Sequence, residues 1–388
     1  MISVSEALDH LFSLASALET ETVPLDRAAG RVLARPVSAR RDQPPFPASA
    51  MDGYAVTAAA PGDRFTVIGE SAAGHRFDGR VGPGQAVRIF TGAPVPPGAT
   101  RVVIQEDVTR DGDRITLKAT LDDNPYIRPA GTDFRNGQTV EAPRRLGPQD
   151  VALLAAMNIA EVPVTRRPKV ALISTGDELV MPGDTPGPDQ IIASNTFGLA
   201  ALLRDLGAEA RILPIARDTR ESLIHAFGLI EDADLVLTIG GASVGDHDLV
   251  APVAEELGMD RAFHKVAMRP GKPLMSGRLQ DAMMIGLPGN PVSAMVCGHV
   301  FVAPVIRSLL GLPAAPAPRH TARLSKALTA NGPREHYMRA QLTNDGIQAL
   351  DRQDSSLLSV LGAANALLIR PVGDPPREIG DRVDYLPL

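Results

Sequence analysis

The chain is short of several things, and each shortage narrows its class. One cysteine, Cys297, stands among 388 residues. No intrachain disulfide can form, and a reducing, cytoplasmic setting is expected. There is no surplus of positive charge: the formal net charge is −6 and the isoelectric point about 5.8. Bulk nucleic-acid binding needs a basic face and is disfavoured. The N-terminus, MISVSEALDHLFSLASALET, lacks a basic leader and carries Glu6 and Asp9. It reads as an amphipathic helix rather than a signal peptide, with Val4, Ala7, Leu8, Leu11, Leu14, Ala15 and Leu18 on one face. The most apolar stretch, NPVSAMVCGHVFVAPVI (290–306), holds His299 and Pro304. It is short for a membrane span and reads as a core helix. The dinucleotide fingerprint GxGxxG and the Walker A pattern are both missing, and eight scattered histidines with one cysteine give no zinc spacing. Lysine is scarce. Of 39 basic residues only Lys118, Lys169, Lys265, Lys272 and Lys326 are lysine. Two of these share the segment KVAMRPGK, which makes them candidates for a role that arginine does not fill.

Length, glycine and proline are in good supply. The length exceeds one ordinary core and suggests two to four domains. Hydrophobic residues at 44% and charged residues at 22% make a soluble globular protein the default. Residues 40–56, RRDQPPFPASAMDGYAV, form an irregular proline-fixed path that opens into a strand. From about 50 to 140 the signals are short β runs separated by turns such as PVPPGA and RDGD, which indicates a small all-β domain. Residues 146–164 read as a helix then a strand. Beyond them strand and helix alternate: PKVALI, a helix from SNTFGLAALL, ARILPIA, a helix from DTRESLIHAF, DLVLTI, AFHKVAM, AMMIGL and the core helix. The strands are continuous apolar runs, which predicts a mainly parallel sheet covered on both faces. LPAAPAPRH (312–320) reads as a linker. EHYMRAQLT, ANALLIRPV and DRVDYLPL then return to β signals.

In an open parallel sheet, ligands bind beyond the carboxyl ends of the strands. Four glycine-bearing loops fall there: STGDEL (174–179), GGASVGDHD (240–248), RPGKPL (269–274) and GLPGNPVS (286–293). Glycine lets backbone approach a ligand closely, and free N–H groups at a helix start hold phosphate. Acidic side chains beside them suit a hard metal ion bridging phosphate or oxyanion groups. Each loop alone has a plainer reading. Asp177 or Asp248 could cap a helix, Lys272 could be a solvated charge, and Asn290–Pro291 could be only a helix start. GASVG superficially resembles a nucleophile elbow, but Ser243 is not placed at a sharp strand–Ser–helix turn. Together the loops point to a phosphorylated ligand plus a metal.

These loops, in this order, resemble the molybdopterin molybdenumtransferase family, which is related to the C-terminal domain of the scaffold protein gephyrin. The residues that carry the resemblance are PPFPASAMDGYAV (44–56), IFTGAPVPPGATRVVIQED (89–107), RPAGTDF (128–134), ALISTGDEL (171–179), SN (194–195), GGASVGDHD (240–248), RPGKP (269–273) and GLPGNPVS (286–293). EHYMRAQL (335–342) and SSLLSVLGAANALLIRP (355–371) match the terminal domain. The resemblance covers nearly the whole chain. It implies an elongated multidomain α/β plus β protein. An extended N-terminal domain (1–44 and 136–168) would carry an inserted β domain (45–135). An α/β domain similar to molybdopterin adenylyltransferase (169–314) and a C-terminal β-barrel (315–388) would follow. It also implies a homodimer with the site shared between subunits, and contact with the adenylyltransferase of the preceding step.

The implied reaction inserts molybdate into adenylylated molybdopterin with Mg²⁺, and AMP leaves. Carried over by position, the catalytic set is Asp52, Thr91, Asp133, Glu178, Asp218, Asp248, Lys265 and Lys272. Substrate-holding residues would be Tyr54, Ser174, Thr175, Gly176, Asp177, Ser194, Asn195, Gly240, Gly241, Ser243, Gly245, Pro270, Gly271, Pro273, Pro288, Gly289 and Asn290. Metal ligands would come from Glu178, Asp246 and Asp248. The two clustered lysines fall at the implied oxyanion site. Arg101 and Ala193 stand where the family often has acidic residues, and Asp246 where it often has glutamate. Two other readings stay open: the adenylyltransferase itself, which needs only an α/β domain, and a non-catalytic scaffold. Tungstate in place of molybdate also stays open.

Overall fold

The structure, a computed structural model, describes residues 1–241 and 249–388. The chain divides into two compact units, Met1–Glu21 with Thr165–Leu388, and Thr22–Val164.

The first unit is organised by a six-stranded sheet. Its elements run β1 (Lys169–Ser174), α1 (Asn195–Asp205), β2 (Glu209–Ile212), α2 (Arg220–Phe227), β3 (Leu235–Ile239), α3 (Val250–Glu256), β4 (Asp260–Lys265), β5 (Pro273–Leu279) and β6 (Ala282–Leu287). The spatial order is β2-β1-β3-β6-β5-β4. β2, β1, β3 and β6 are parallel, as the continuous apolar runs predict. Both faces are covered: Ala171, Ile173 and Val236 pack under α2 and α3, while their neighbours Val170, Leu172 and Leu235 are equally buried. The sheet is mainly parallel, as expected, with two antiparallel pairings at one edge. Pro273 and Leu274, read as the end of a loop, begin β5, which is antiparallel to both β6 and β4. Only Gln280 and Asp281 separate the paired residues Leu279 and Ala282. A connection that short permits nothing but an antiparallel hairpin, and Gln280 takes the positive φ of 54° that such a turn needs.

The helix Pro291–Leu309 is long and apolar enough to cross a membrane, yet 78% of its most apolar window is buried inside the protein. It is a core helix. Pro304 has no N–H for the ladder. A π turn at Gly298–Val302 takes up the mismatch, with the N–H of Ala303 donating to the Gly298 carbonyl. At the N-terminus, Ser3 and Glu6 form a capping box: Glu6 N donates to Ser3 Oγ (3.1 Å) and Ser3 N to Glu6 Oε2 (2.7 Å). The helix ends at Leu14, earlier than its apolar face predicts, and buries Val4, Ala7, Leu8 and Leu11 in this first unit.

Past residue 312 the chain forms a second sheet of the same unit. Its order is Met268–Arg269, Glu335–Thr343, Ala366–Arg370, Arg382–Pro387 and His320–Arg323, with Gly346–Ala349 beside Glu335–Thr343. A parallel bridge between Leu324 and Ile347 curls it. Met268–Arg269, next to the basic loop, adds to it in parallel with Glu335 and His336.

In the second unit, a six-stranded mixed sheet has the order Arg101–Ile104, Gly53–Val56, Gln85–Ile89, Arg64–Ser71, Arg114–Leu117 and Val108–Asp111. Tyr54 and Val56 face one apolar cluster and Ala55 another. A four-stranded sheet with the helix Pro148–Ala156 encloses a separate core around Leu33, Leu154 and Val162.

Candidate functional site

The glycine loops of the first unit meet. They surround a cavity of about 760 Å³ at the carboxyl edge of the parallel strands. Ser174, Thr175, Gly176 and Glu178 reach it from the end of β1, and Gly240 and Gly241 from the end of β3. Pro288, Gly289 and Asn290 come from the end of β6, Ser194 and Asn195 from the start of α1, and Asp218 from the turn before α2. Two helix starts therefore point at one space. Neither N-cap, Ser194 or Asn290, satisfies its helix N–H groups with its own side chain, which suits an anionic ligand.

Glycine at 240 is dictated by contact. Its φ is +96°, and a Cβ there would lie 2.6 Å from the Thr175 carbonyl oxygen and 2.8 Å from Thr175 Oγ1. That hydroxyl is buried and has no hydrogen-bond partner among the described residues. Asn195 Nδ2 donates to the Gly289 carbonyl at 2.7 Å, tying the two helix starts. Asp177 braces the wall: its Oδ1 accepts the Asp218 N–H at 3.2 Å, and its carbonyl accepts Arg217 Nη1 at 2.8 Å.

From the basic loop, Pro273 is the residue among those described that lines the cavity. Pro270 and Gly271 are buried behind it, and a Cβ on Gly271 would meet Cys297 Sγ at 2.6 Å. Lys272 is exposed and Lys265 half-buried. Ser243, Gly245, Asp246 and Asp248 lie outside the described residues.

The sequence did not single out the apolar wall of Leu179, Ile191 and Ile192, nor Ser356 from the C-terminal sheet region. Ser356 is held by Asp354 Oδ1, which accepts its N–H at 2.8 Å and its hydroxyl at 2.7 Å. The Asp354 carbonyl accepts Arg339 Nη2 at 3.1 Å. Arg339 is fully buried, and its Nε and Nη1 have no partner among the described residues. Beside it, burial and the charges of Arg269, Arg339, Arg334 and Arg370 push His336 down to about 4, so it is neutral at pH 7. A buried guanidinium with open donors is a place for an anion. The one hint in the sequence is an arginine inside the apolar run EHYMRAQLT.

The second unit carries its own constellation. Asp52 Oδ1 accepts the Thr91 N–H at 2.7 Å and the Thr91 hydroxyl at 2.8 Å. These bonds, and to a smaller extent the charge of Arg88, hold the carboxyl below the usual aspartate range. Asp133 lines a cavity of about 660 Å³ with Gly92 of TGAP, and with Arg41 and Arg128, which sequence reasoning passed over. Tyr54, read as a ligand contact, is only 5% exposed and packs against Val56, Phe65 and Val103. Ala55, on the opposite face of the strand, packs into a second cluster, so both faces are covered there.

Three consecutive stretches match known families: the MoeA N-terminal region (domain I and II) over residues 2–158, the probable molybdopterin binding domain over 171–308, and the MoeA C-terminal region (domain IV) over 321–388. The molybdopterin molybdenumtransferase of a Nostoc species is 36% identical over 396 residues, covering 96% of this chain and 91% of that one. The protein of the same name from Haemophilus influenzae is 37% identical, covering 90% and 89%. A crystal structure of the molybdopterin biosynthesis moeA protein from Pyrococcus horikoshii superposes with a TM-score of 0.86 at 28% identity, covering 100% of both chains.

Proposed function

Because the chain belongs to the molybdopterin molybdenumtransferase family, we propose that it inserts molybdate into adenylylated molybdopterin and releases AMP. The observation that carries this reading is the single cavity onto which two helix starts, the Gly240–Gly241 turn and two carboxylates converge. A pyrophosphate needs close backbone N–H groups, and glycine and the helix starts supply them without an added charge. The acceptor oxygens of Glu178 and Asp218 suit the metal side of the same ligand. Molybdate must reach thiolate sulfur against like charge. Lys265, Lys272 and the buried guanidinium of Arg339 favour its approach. No covalent protein nucleophile is required, since water cleaves the phosphoanhydride.

Magnesium is part of the proposal. It is bound through one or two carboxylates plus substrate phosphates and needs no all-protein cage. Glu178 and Asp218 fit that pattern, and no group of three metal-ligating side chains occurs among the described residues. When bound, the cation would offset charge developing on the phosphoanhydride.

The finer organisation is also proposed. The curled C-terminal sheet is the β-barrel domain (315–388), and 45–135 is a β domain inserted in the first. The protein works in the cytoplasm as a homodimer, in which Asp52 and Thr91 of one copy serve the cavity of the other. In support, the two sets of candidate residues fall in different compact units.

The test is anaerobic incubation with adenylyl-molybdopterin, molybdate and Mg²⁺. AMP release coupled to molybdenum uptake is expected. Transfer of AMP from ATP to molybdopterin, with no molybdenum uptake, would replace this reading with the adenylyltransferase.

A further inference from the structure

One arginine touches both backbone neighbours of the Asp52–Thr91 pair. Arg88 lies directly across the sheet from Tyr54. Its guanidinium carbon is 5.1 Å from the Tyr54 ring centroid and 4.8 Å from that of Phe90. Nη1 donates to the Gly53 carbonyl at 3.2 Å, and Nη2 donates to Gln105 Oε1 at 2.8 Å. Gly53 follows Asp52 in the chain, and Phe90 precedes Thr91. The guanidinium therefore grips the residue after the aspartate and the residue before the threonine. Gly53 packs close to the next strand: a Cβ at that position would sit 1.9 Å from the Val103 carbonyl oxygen. Across the same sheet, the Gln105 N–H donates to the Asp52 carbonyl at 3.0 Å. Gln105 is thus a second point at which Arg88 and the Asp52 backbone are joined.

We infer that Arg88 is a positioning residue for Asp52: it clamps the two strand ends so that the Asp52–Thr91 pair keeps one orientation toward the reacting ligand. The inference rests on the reading that Asp52 belongs to the molybdenum-inserting site. The residue type follows from geometry. A planar guanidinium packs against two rings while donating in two directions. A lysine ammonium keeps the charge but neither stacks as a plane nor forks.

The experiment uses the full chain in four forms: wild type, Arg88→Lys, Asp52→Asn and the double variant. Anaerobic molybdenum insertion is measured at saturating and limiting substrate, with thermal melts to establish that each is folded. Arg88→Lys is expected to lower kcat by about tenfold to a hundredfold, the effect of a displacement near 1 Å at a reacting group. The half-saturating concentration of adenylyl-molybdopterin should change little. The double variant should be no slower than Asp52→Asn, because Arg88 acts through that carboxylate. A purely structural arginine would lower the melting temperature and leave kcat of the folded enzyme alone. An inactive Asp52→Asn beside a fully active Arg88→Lys overturns the inference alone. An Asp52→Asn chain with wild-type turnover removes the reading of the site and the inference with it. Should Arg88→Lys fail to fold, Gln105→Ala deletes one arm of the clamp. A smaller fall in kcat supports the inference, and an unchanged kcat overturns it.

Discussion

The cavity of the first unit and the Asp52 cluster of the second are built by opposite means. In the cavity the chain offers backbone: glycine turns at 240 and 241, two helix starts, and prolines at 273, 288 and 291. Its side chains mostly tie loop to loop, as Asn195 and Asp177 do. In the second unit the offered group is a carboxylate: Thr91 holds it by its N–H and its hydroxyl, and the side chain of Arg88, between two rings, grips the neighbouring residues. A backbone site is made by what is absent at Cβ, so adding atoms should damage it. A side-chain site is made by what is present, so removing or re-shaping atoms should.

The largest effect is expected where the backbone has no room. Gly240→Ala puts a Cβ against Thr175 at a φ of +96°. AMP release should be abolished and stability should fall by about 1–3 kcal/mol. A fully active variant would show that the loop is free to rearrange. Next is Asp52→Asn, which keeps the shape and removes the charge. Turnover should drop by about a hundredfold or more with the fold intact, in the range for a positioned proton-transfer or charge-bearing group. The comparison is sharpened by mixing inactive Asp52→Ala and Glu178→Ala chains. If each site draws on two copies, random pairing restores about a quarter of wild-type activity through heterodimers with one intact site. No recovery after verified subunit exchange would confine the site to one copy. A smaller effect is expected of Lys272→Ala. The molybdate concentration for half-maximal rate should rise several-fold, and added salt should hurt the wild type more than the variant. Smallest is Ser3→Ala, which removes only the N-cap of the first helix. It should cost about 1 kcal/mol in denaturant titration and leave molybdenum insertion unchanged.

Much of the cavity was legible before folding. STGDEL, GGASVGDHD and GLPGNPVS each end an apolar run, and the carboxyl edge of a parallel sheet is where such loops gather. Thirteen of the residues named from the sequence line the cavity, from Ser174 to Asn290: strand assignment accounts for those at the ends of the parallel strands, and the family resemblance named Ser194, Asn195 and Asp218. Ser356 was not legible, because it arrives from a different sheet and is anchored through Asp354 to Arg339. The ring of Tyr54 packs into an apolar cluster, whereas Asp52, just before the strand Gly53–Val56, accepts the Thr91 hydroxyl.

By itself the sequence determined the elements that rest on neighbours in the chain. These are the buried parallel strands, the capped N-terminal helix, the core helix and the glycine turns, each set by apolar periodicity, a cap or a φ that only glycine takes readily. Tertiary structure alone decided the reversal of β5 by the Gln280–Asp281 turn, the arrival of Pro273 and Ser356 at the cavity, and the seat of Arg88 against Tyr54 and Phe90. Each of these is a contact between segments distant along the chain. Its energy depends on which strands end up adjacent, and no local pattern of residues carries that information.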